Sequence, residues 1–135
     1  MLCFALYSAS HAMNRVYRPL LEPLGLTYPQ YLVMAALWDE DEKTVKTLGS
    51  LVDLDSGTLT PLVKRLEASG LVQRDRNPQD EREVIVSLTD KGRAMQADAT
   101  HIPQCILEAT TLSADAAGEL RDRIFRLRTA LEAAG

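Results

Sequence analysis

Aromatic side chains make up only 5% of the 135 residues. The apolar content of 46% is carried mainly by Leu and Ala, which leans the chain toward helix. No apolar run approaches the roughly 20 residues of a membrane-spanning helix. The apolar start, Met1 to Met13, lacks a basic leader and runs on into Arg15, Tyr17 and Arg18. It therefore reads as a helix of the mature protein and not as a signal peptide. Cysteines number two, Cys3 and Cys105, too few and too distant for a structural disulfide framework. A reducing cytoplasm is the expected location. The two histidines, His11 and His101, fall in separate expected helices, with no Asp or Cys at metal-ligand or triad spacing. No metal, no cofactor and no enzymatic activity is expected. The length is that of one ordinary domain with a real core.

Excess positive charge is also missing. The net charge is -4, which argues against unspecific nucleic-acid binding, since phosphate contacts need Lys and Arg. The one local basic feature is Lys64, Arg65, Arg74, Arg76 and Arg82, and Glu67, Asp75, Asp80 and Glu81 nearly balance it. Charge alone therefore says little about a partner.

Periodicity says more. Residues 2–22 show Leu6, Ala9, Met13, Tyr17, Leu20 and Leu21 at helical spacing, with Pro19 near the end. Pro23, Gly25 and Thr27 break the pattern. Thr27 with Gln30 makes a capping box ahead of an apolar helix from Tyr31 to Trp38. Asp39–Glu42 reads as a solvated connection. Thr44 caps a short helix over Val45 to Val52, and Asp53-Leu54-Asp55 is a turn. The next helix covers about Ser56 to Ser69 and stops at Gly70. Leu71–Arg74 and Glu83–Leu88 read as two strands around the turn Asn77-Pro78-Gln79-Asp80. Thr89 to Gly92 opens a long helix that Pro103 bends or interrupts. Ser113 begins a last helix with Leu120, Ile124, Leu127 and Leu131 at spacings of 4, 3 and 4.

Two short helices around a tight turn, followed by a hairpin, is the order of a winged helix-turn-helix. The fold expected is mainly α with a small β-hairpin wing. In such folds the second helix enters the major groove and the hairpin tip reaches a neighbouring minor groove. Ser56, Thr58 and Thr60 stand on the first turns of that helix, where short hydroxyl side chains can approach phosphates and base edges. Lys64 and Arg65 follow, and Arg74 and Arg76 lie on the hairpin. The bland alternative is that the hydroxyls only cap the helix and the cations are solvated. Arg82 has two readings: it reaches DNA, or it pairs with Asp80 and braces the wing.

The run Asp55-Ser56-Gly57-Thr58-Leu59-Thr60-Pro61-Leu62-Val63-Lys64-Arg65-Leu66-Glu67 resembles the recognition-helix segment of MarR-family regulators. Asp80-Glu81-Arg82 with Val86-Ser87-Leu88-Thr89 resembles that family's wing. Leu2-Cys3-Phe4-Ala5-Leu6-Tyr7 and Leu26-Thr27-Tyr28-Pro29-Gln30-Tyr31-Leu32 are similar to its organic-hydroperoxide branch, the OhrR repressors. The resemblance weakens after about Pro103. It implies a single MarR-like chain over 1–135, with a winged helix-turn-helix over 28–92 and dimerisation helices over 1–27 and 93–135. It also implies a homodimer that represses transcription from a pseudo-palindromic operator in double-stranded DNA. Organic hydroperoxide would be the signal and Cys3 the redox-sensing residue. No membrane partner is implied.

A cysteine meets peroxide as its thiolate, so access and local charge matter. Cys3 lies in the first turn of an expected helix, where free N–H groups favour negative sulfur; its other reading is a small buried hydrophobe. The resemblance assigns Tyr17 and Tyr28 to the sulfur, across the dimer. Tyr17 lies on much the same helical face as Cys3 but about 21 Å further along the axis. The two cannot meet within one straight helix, so the contact requires a second subunit. An oxidised Cys3 would condense with a second thiol. Cys105 is the internal candidate for a resolving residue, although the branch's second cysteine falls about one helical turn later. A low-molecular-weight thiol of the cell is the other candidate. Two further readings of the chain compete: a MarR-type repressor governed by a small aromatic ligand, and a winged-helix module that binds protein alone.

Overall fold

The computed structural model describes residues Met1–Gly135. They form two compact units, 1–100 and 101–135.

The first unit opens with helix α1 (Leu2–Leu21), which holds Pro19 in its last turn. A 3-10 turn, Glu22–Leu24, follows. Helix α2 (Tyr28–Asp39) begins three residues before the apolar run, because the capping box fixes its start. Thr27 Oγ1 accepts from the Gln30 amide at 3.4 Å, and the Gln30 side chain accepts from the Thr27 amide at 3.0 Å. A two-residue strand, β1 (Lys43–Thr44), leads into α3 (Val45–Val52), where the Thr44 hydroxyl accepts from the Thr47 amide. After a turn through Asp53 comes α4 (Ser56–Ala68). Gly70, at φ +79°, makes the left-handed turn that ends it. Strands β2 (Val72–Asn77) and β3 (Asp80–Leu88) pair antiparallel around Pro78-Gln79. Helix α5 (Asp90–Ala99) closes the unit.

Both hairpin strands are longer than the sequence suggests, since their outer halves are polar and carry no apolar alternation. The sheet has three strands in the order β1-β3-β2, with Lys43 opposite Val86 and Thr44 opposite Ile85. Two residues show no period, so β1 is invisible in sequence. The loop before it is more than a solvated connection. The Asp41 carboxylate accepts from the Leu88 amide at 2.9 Å and lies 3.7 Å from the Arg93 guanidinium. It thus ties the loop to the end of β3.

Val33, Met34 and Leu37 of α2 form the core with Leu48, Leu59, Val63, Leu66, Val72 and Val86, all at most 1% exposed. Burial of each large side chain stabilises the fold by on the order of 2 kcal/mol. At the far side of α2 the Trp38 indole N–H donates to the Gly92 carbonyl at 2.9 Å, joining α2 to α5.

The second unit is a helix pair. Pro103 falls in the first turn of α6 (Ile102–Thr110), where its missing N–H loses nothing. It begins a helix, and the break expected near it lies at Thr100–His101. Helix α7 (Ala114–Ala134) is capped by the Ser113 hydroxyl, which accepts from the Ala116 amide at 3.1 Å. Its Leu120, Ile124 and Leu131 are exposed. No helix is long and apolar enough to cross a membrane.

Candidate functional site

Two sets of residues draw attention in the first unit. The first surrounds α4. The helix is capped by Asp55, whose carboxylate accepts from the Thr58 amide at 2.8 Å. Capping therefore does not occupy the hydroxyls of Ser56 and Thr58, and both side chains are exposed. Lys64 and Arg65 are exposed, and Thr60 is half-buried. A groove of about 750 Å³ runs between α3, α4 and the wing, lined in part by Lys46, Ser56, Thr60, Arg74 and Arg82. The fold thus brings four of the expected residues to one groove. Thr58, Lys64, Arg65 and Arg76 lie outside its lining.

The wing cations differ in how they are held. Asp80 Oδ1 accepts from both the amide and the Nε of Arg82 at 3.1 Å, yet the Arg82 side chain stays 91% exposed. Bracing by Asp80 and availability to a ligand therefore coexist. Arg76 donates to the Glu81 carbonyl at 2.7 Å and is exposed. Arg74 is engaged within the protein. Its amide donates to Glu67 Oε2 at 3.0 Å and its Nε to Oε1 at 3.2 Å. Sequence reading missed two residues here. Lys46 shares the groove but stands alone on α3, without a motif. Glu67 counted only as a neutralising charge.

The second set is aromatic. Cys3 lies in the first turn of α1 and is exposed. Met1 offers no side-chain cap, so no side chain competes for the first amides of the helix. Tyr17 packs on Tyr28 with ring centroids 4.7 Å apart, and Tyr31 adds a third ring 5.8 Å from Tyr17. Tyr28 and Tyr31 sit three residues apart on one face of α2, the spacing that could have revealed the third ring. Tyr17 and Tyr28 line a cavity of about 540 Å³ with Asn14, Leu21 and Leu26. Cys3 does not line it. Cys105 is a free, half-buried thiol on α6.

Burial pushes the Tyr17 phenol up to about 12, and the neighbouring Tyr28 and Tyr31 phenols push it the same way. Burial also raises Tyr28 and Tyr31. All three are therefore neutral O–H donors near neutral pH. A folded-state value above the ordinary 10.0 favours folding below pH 10, and this contribution fades as pH rises through about 12. Alkaline titration followed by phenolate absorbance is expected to show Tyr17 ionising late. In Tyr17→Phe that late phase disappears; an unchanged curve would contradict the buried cluster.

A capped recognition-type helix beside a three-stranded wing defines a winged helix-turn-helix protein. The sequence profile described as "Transcriptional regulator SarA/Rot" matches residues 15–98. The chain is 49% identical over 132 residues to the HTH-type transcriptional regulator TtmR of Methylorubrum extorquens, covering 98% of this chain and 68% of TtmR. It is 44% identical over 126 residues to the organic hydroperoxide resistance transcriptional regulator of Bacillus subtilis, covering 93% of this chain and 86% of that protein. Among solved structures, reduced AbfR bound to DNA superposes with a TM-score of 0.82 at 36% identity, covering 96% of this chain and 91% of AbfR; AbfR is a protein of Staphylococcus epidermidis. The chain belongs to the MarR family of transcriptional regulators, in its organic-hydroperoxide branch, and is not an enzyme.

Proposed function

We propose that this regulator is a repressor that binds operator DNA as a homodimer and releases it when organic hydroperoxide oxidises Cys3. The observation that carries the reading is that Tyr17 of α1, the helix that begins with an exposed Cys3, packs on Tyr28 of α2 and the two line one cavity. In the antiparallel pairing of two such helices, the thiol of one subunit meets the phenols of the other. The phenols donate to the thiolate and hold its charge. The sulfur attacks the terminal peroxide oxygen, the O–O bond breaks, and the alkoxide leaves to take a proton from solvent. Cys3 is left as a sulfenic acid. Condensation with Cys105 or with a small cellular thiol then expels water. Either product changes the packing of α1, and the two wing modules lose the spacing that the two half-sites require.

Ser56, Thr58, Thr60, Lys64 and Arg65 face the major groove in this reading, and Arg76 and Arg82 of the wing reach phosphate or the minor groove. Binding to the duplex upstream of its own gene should be lost by about a thousandfold between 50 and 200 mM salt. Fluorescence anisotropy at a series of salt concentrations measures this. A flat salt profile, or no binding, would favour a module that binds protein alone. The tyrosine-lined cavity also suits a small aromatic ligand, which is the second reading. In that case a Cys3→Ser variant would respond to the signal like the wild type.

A further inference from the structure

Of the three wing arginines, Arg74 pairs with the recognition helix, whereas Arg76 and Arg82 find their partners within the hairpin. Arg74 sits on β2, and Glu67 sits in the last turns of α4. Both oxygens of the Glu67 carboxylate are used: Oε2 accepts from the Arg74 amide at 3.0 Å and Oε1 from its Nε at 3.2 Å. The side chains are 36% and 29% exposed, so the pair is partly shielded, unlike the 91% exposed Arg82. One carboxylate thus joins a main-chain and a side-chain donor of the wing to the recognition helix. Beneath it, Val63 and Leu66 of α4 are buried in the same core as Val72 and Val86 of the hairpin, and the Leu66 carbonyl accepts from the Leu71 amide at 3.0 Å.

We propose that Glu67 and Arg74 form a clamp that sets the angle between recognition helix and wing, and that Arg74 is a positioning residue and not a phosphate contact. The inference rests on the DNA-binding reading above. Its logic is geometric. A winged module touches the duplex at two places, the major groove through α4 and the flanking backbone through the wing. If the angle between them wanders, only one contact forms at a time. Fixing the angle beforehand removes that ordering cost from the binding step. Arg74 would then matter to affinity without neutralising a phosphate.

Two consequences separate a clamp from a phosphate contact. Loss of a phosphate contact lowers the salt slope of binding by about one per subunit, whereas loss of a clamp leaves it unchanged. Removal of Glu67 also has opposite signs. If Arg74 touched phosphate, Glu67→Ala would free the guanidinium and strengthen binding. In a clamp it weakens binding as Arg74→Ala does, and the double variant is no worse than either single one.

The experiment is operator binding by anisotropy across salt concentrations for wild type, Glu67→Ala, Arg74→Ala, the double variant and Arg82→Ala. Glu67→Gln, which keeps the side-chain shape and one of the two acceptors, guards against a folding defect, and circular dichroism checks each variant. The expected result is about a tenfold loss for Glu67→Ala, Arg74→Ala and their combination, with the wild-type slope, a smaller loss for Glu67→Gln, and a reduced slope for Arg82→Ala alone. Stronger binding by Glu67→Ala, a reduced slope in Arg74→Ala, or additive losses in the double variant would overturn the clamp. Absence of wild-type binding would overturn the DNA-binding reading itself, and is seen before any variant is compared.

Discussion

Cys3→Ser is expected to bind operator DNA within about twofold of the wild type and to ignore organic hydroperoxide altogether. Serine keeps the shape of the side chain in the first turn of α1. Its hydroxyl does not ionise near neutral pH and has no lone pair that peroxide oxidises. Cys3 is exposed, so the exchange disturbs no packing in the first unit. The wild type, by contrast, should lose DNA on oxidation. A useful switch needs the oxidised form to bind about a hundredfold more weakly, a difference of about 2.8 kcal/mol. Anisotropy with labelled upstream duplex, before and after hydroperoxide, measures both proteins. Release in the serine variant equal to that in the wild type would take the sensor role away from this thiol and leave the tyrosine-lined cavity as the control point.

The second large effect concerns stability. At Gly92 an added Cβ would stand 2.1 Å from the Leu71 carbonyl oxygen and 3.1 Å from its carbon. Neither atom can rotate away, because both are main chain. The same glycine donates its amide to the Thr89 cap at 3.0 Å and accepts the Trp38 indole N–H at 2.9 Å. Any shift that relieves the clash therefore strains the start of α5 and its tie to α2. Gly92→Ala is expected to destabilise the fold by about 3 kcal/mol. The melting temperature should fall by roughly 10 °C. Gly118→Ala on α7 is the control, since its Cβ would meet nothing closer than an Arg121 side-chain nitrogen at 3.7 Å. It should gain about 0.5 kcal/mol from helix propensity. Thermal denaturation of the two variants reads the difference. A Gly92→Ala protein as stable as the wild type would mean that α5 sits elsewhere.

The helices were legible because their signals are local. The capping box at Thr27 and Gln30, the Thr44 cap and the Gly70 stop lie within a few residues of the ends they mark. The hairpin turn at Pro78-Gln79 was legible for the same reason. What escaped was set by partners distant in sequence. Strand β1 exists only because Lys43 and Thr44 find Val86 and Ile85. Asp41 gains its role from the Leu88 amide, 47 residues away. Arg74 reads as a free cation in sequence, whereas in the fold its amide and its Nε both donate to Glu67, seven residues earlier. The candidate thiol site is a harder case. Cys3, Tyr17 and Tyr28 could be named from their resemblance to known repressors. Helix geometry keeps the first two about 21 Å apart within one straight helix, so the proposed site needs a second subunit.

A mixed dimer tests the proposed two-subunit site most directly. One subunit carries Cys3→Ser and the other carries Tyr17→Phe with Tyr28→Phe. The only cysteine at position 3 then faces the intact tyrosines of its partner. Intact-mass analysis after brief exposure to organic hydroperoxide follows its oxidation. This sulfur is expected to oxidise as fast as in the wild type, and far faster than in the dimer with both subunits lacking Tyr17 and Tyr28. Oxidation as slow as in that double-phenylalanine dimer would contradict a site built from two subunits.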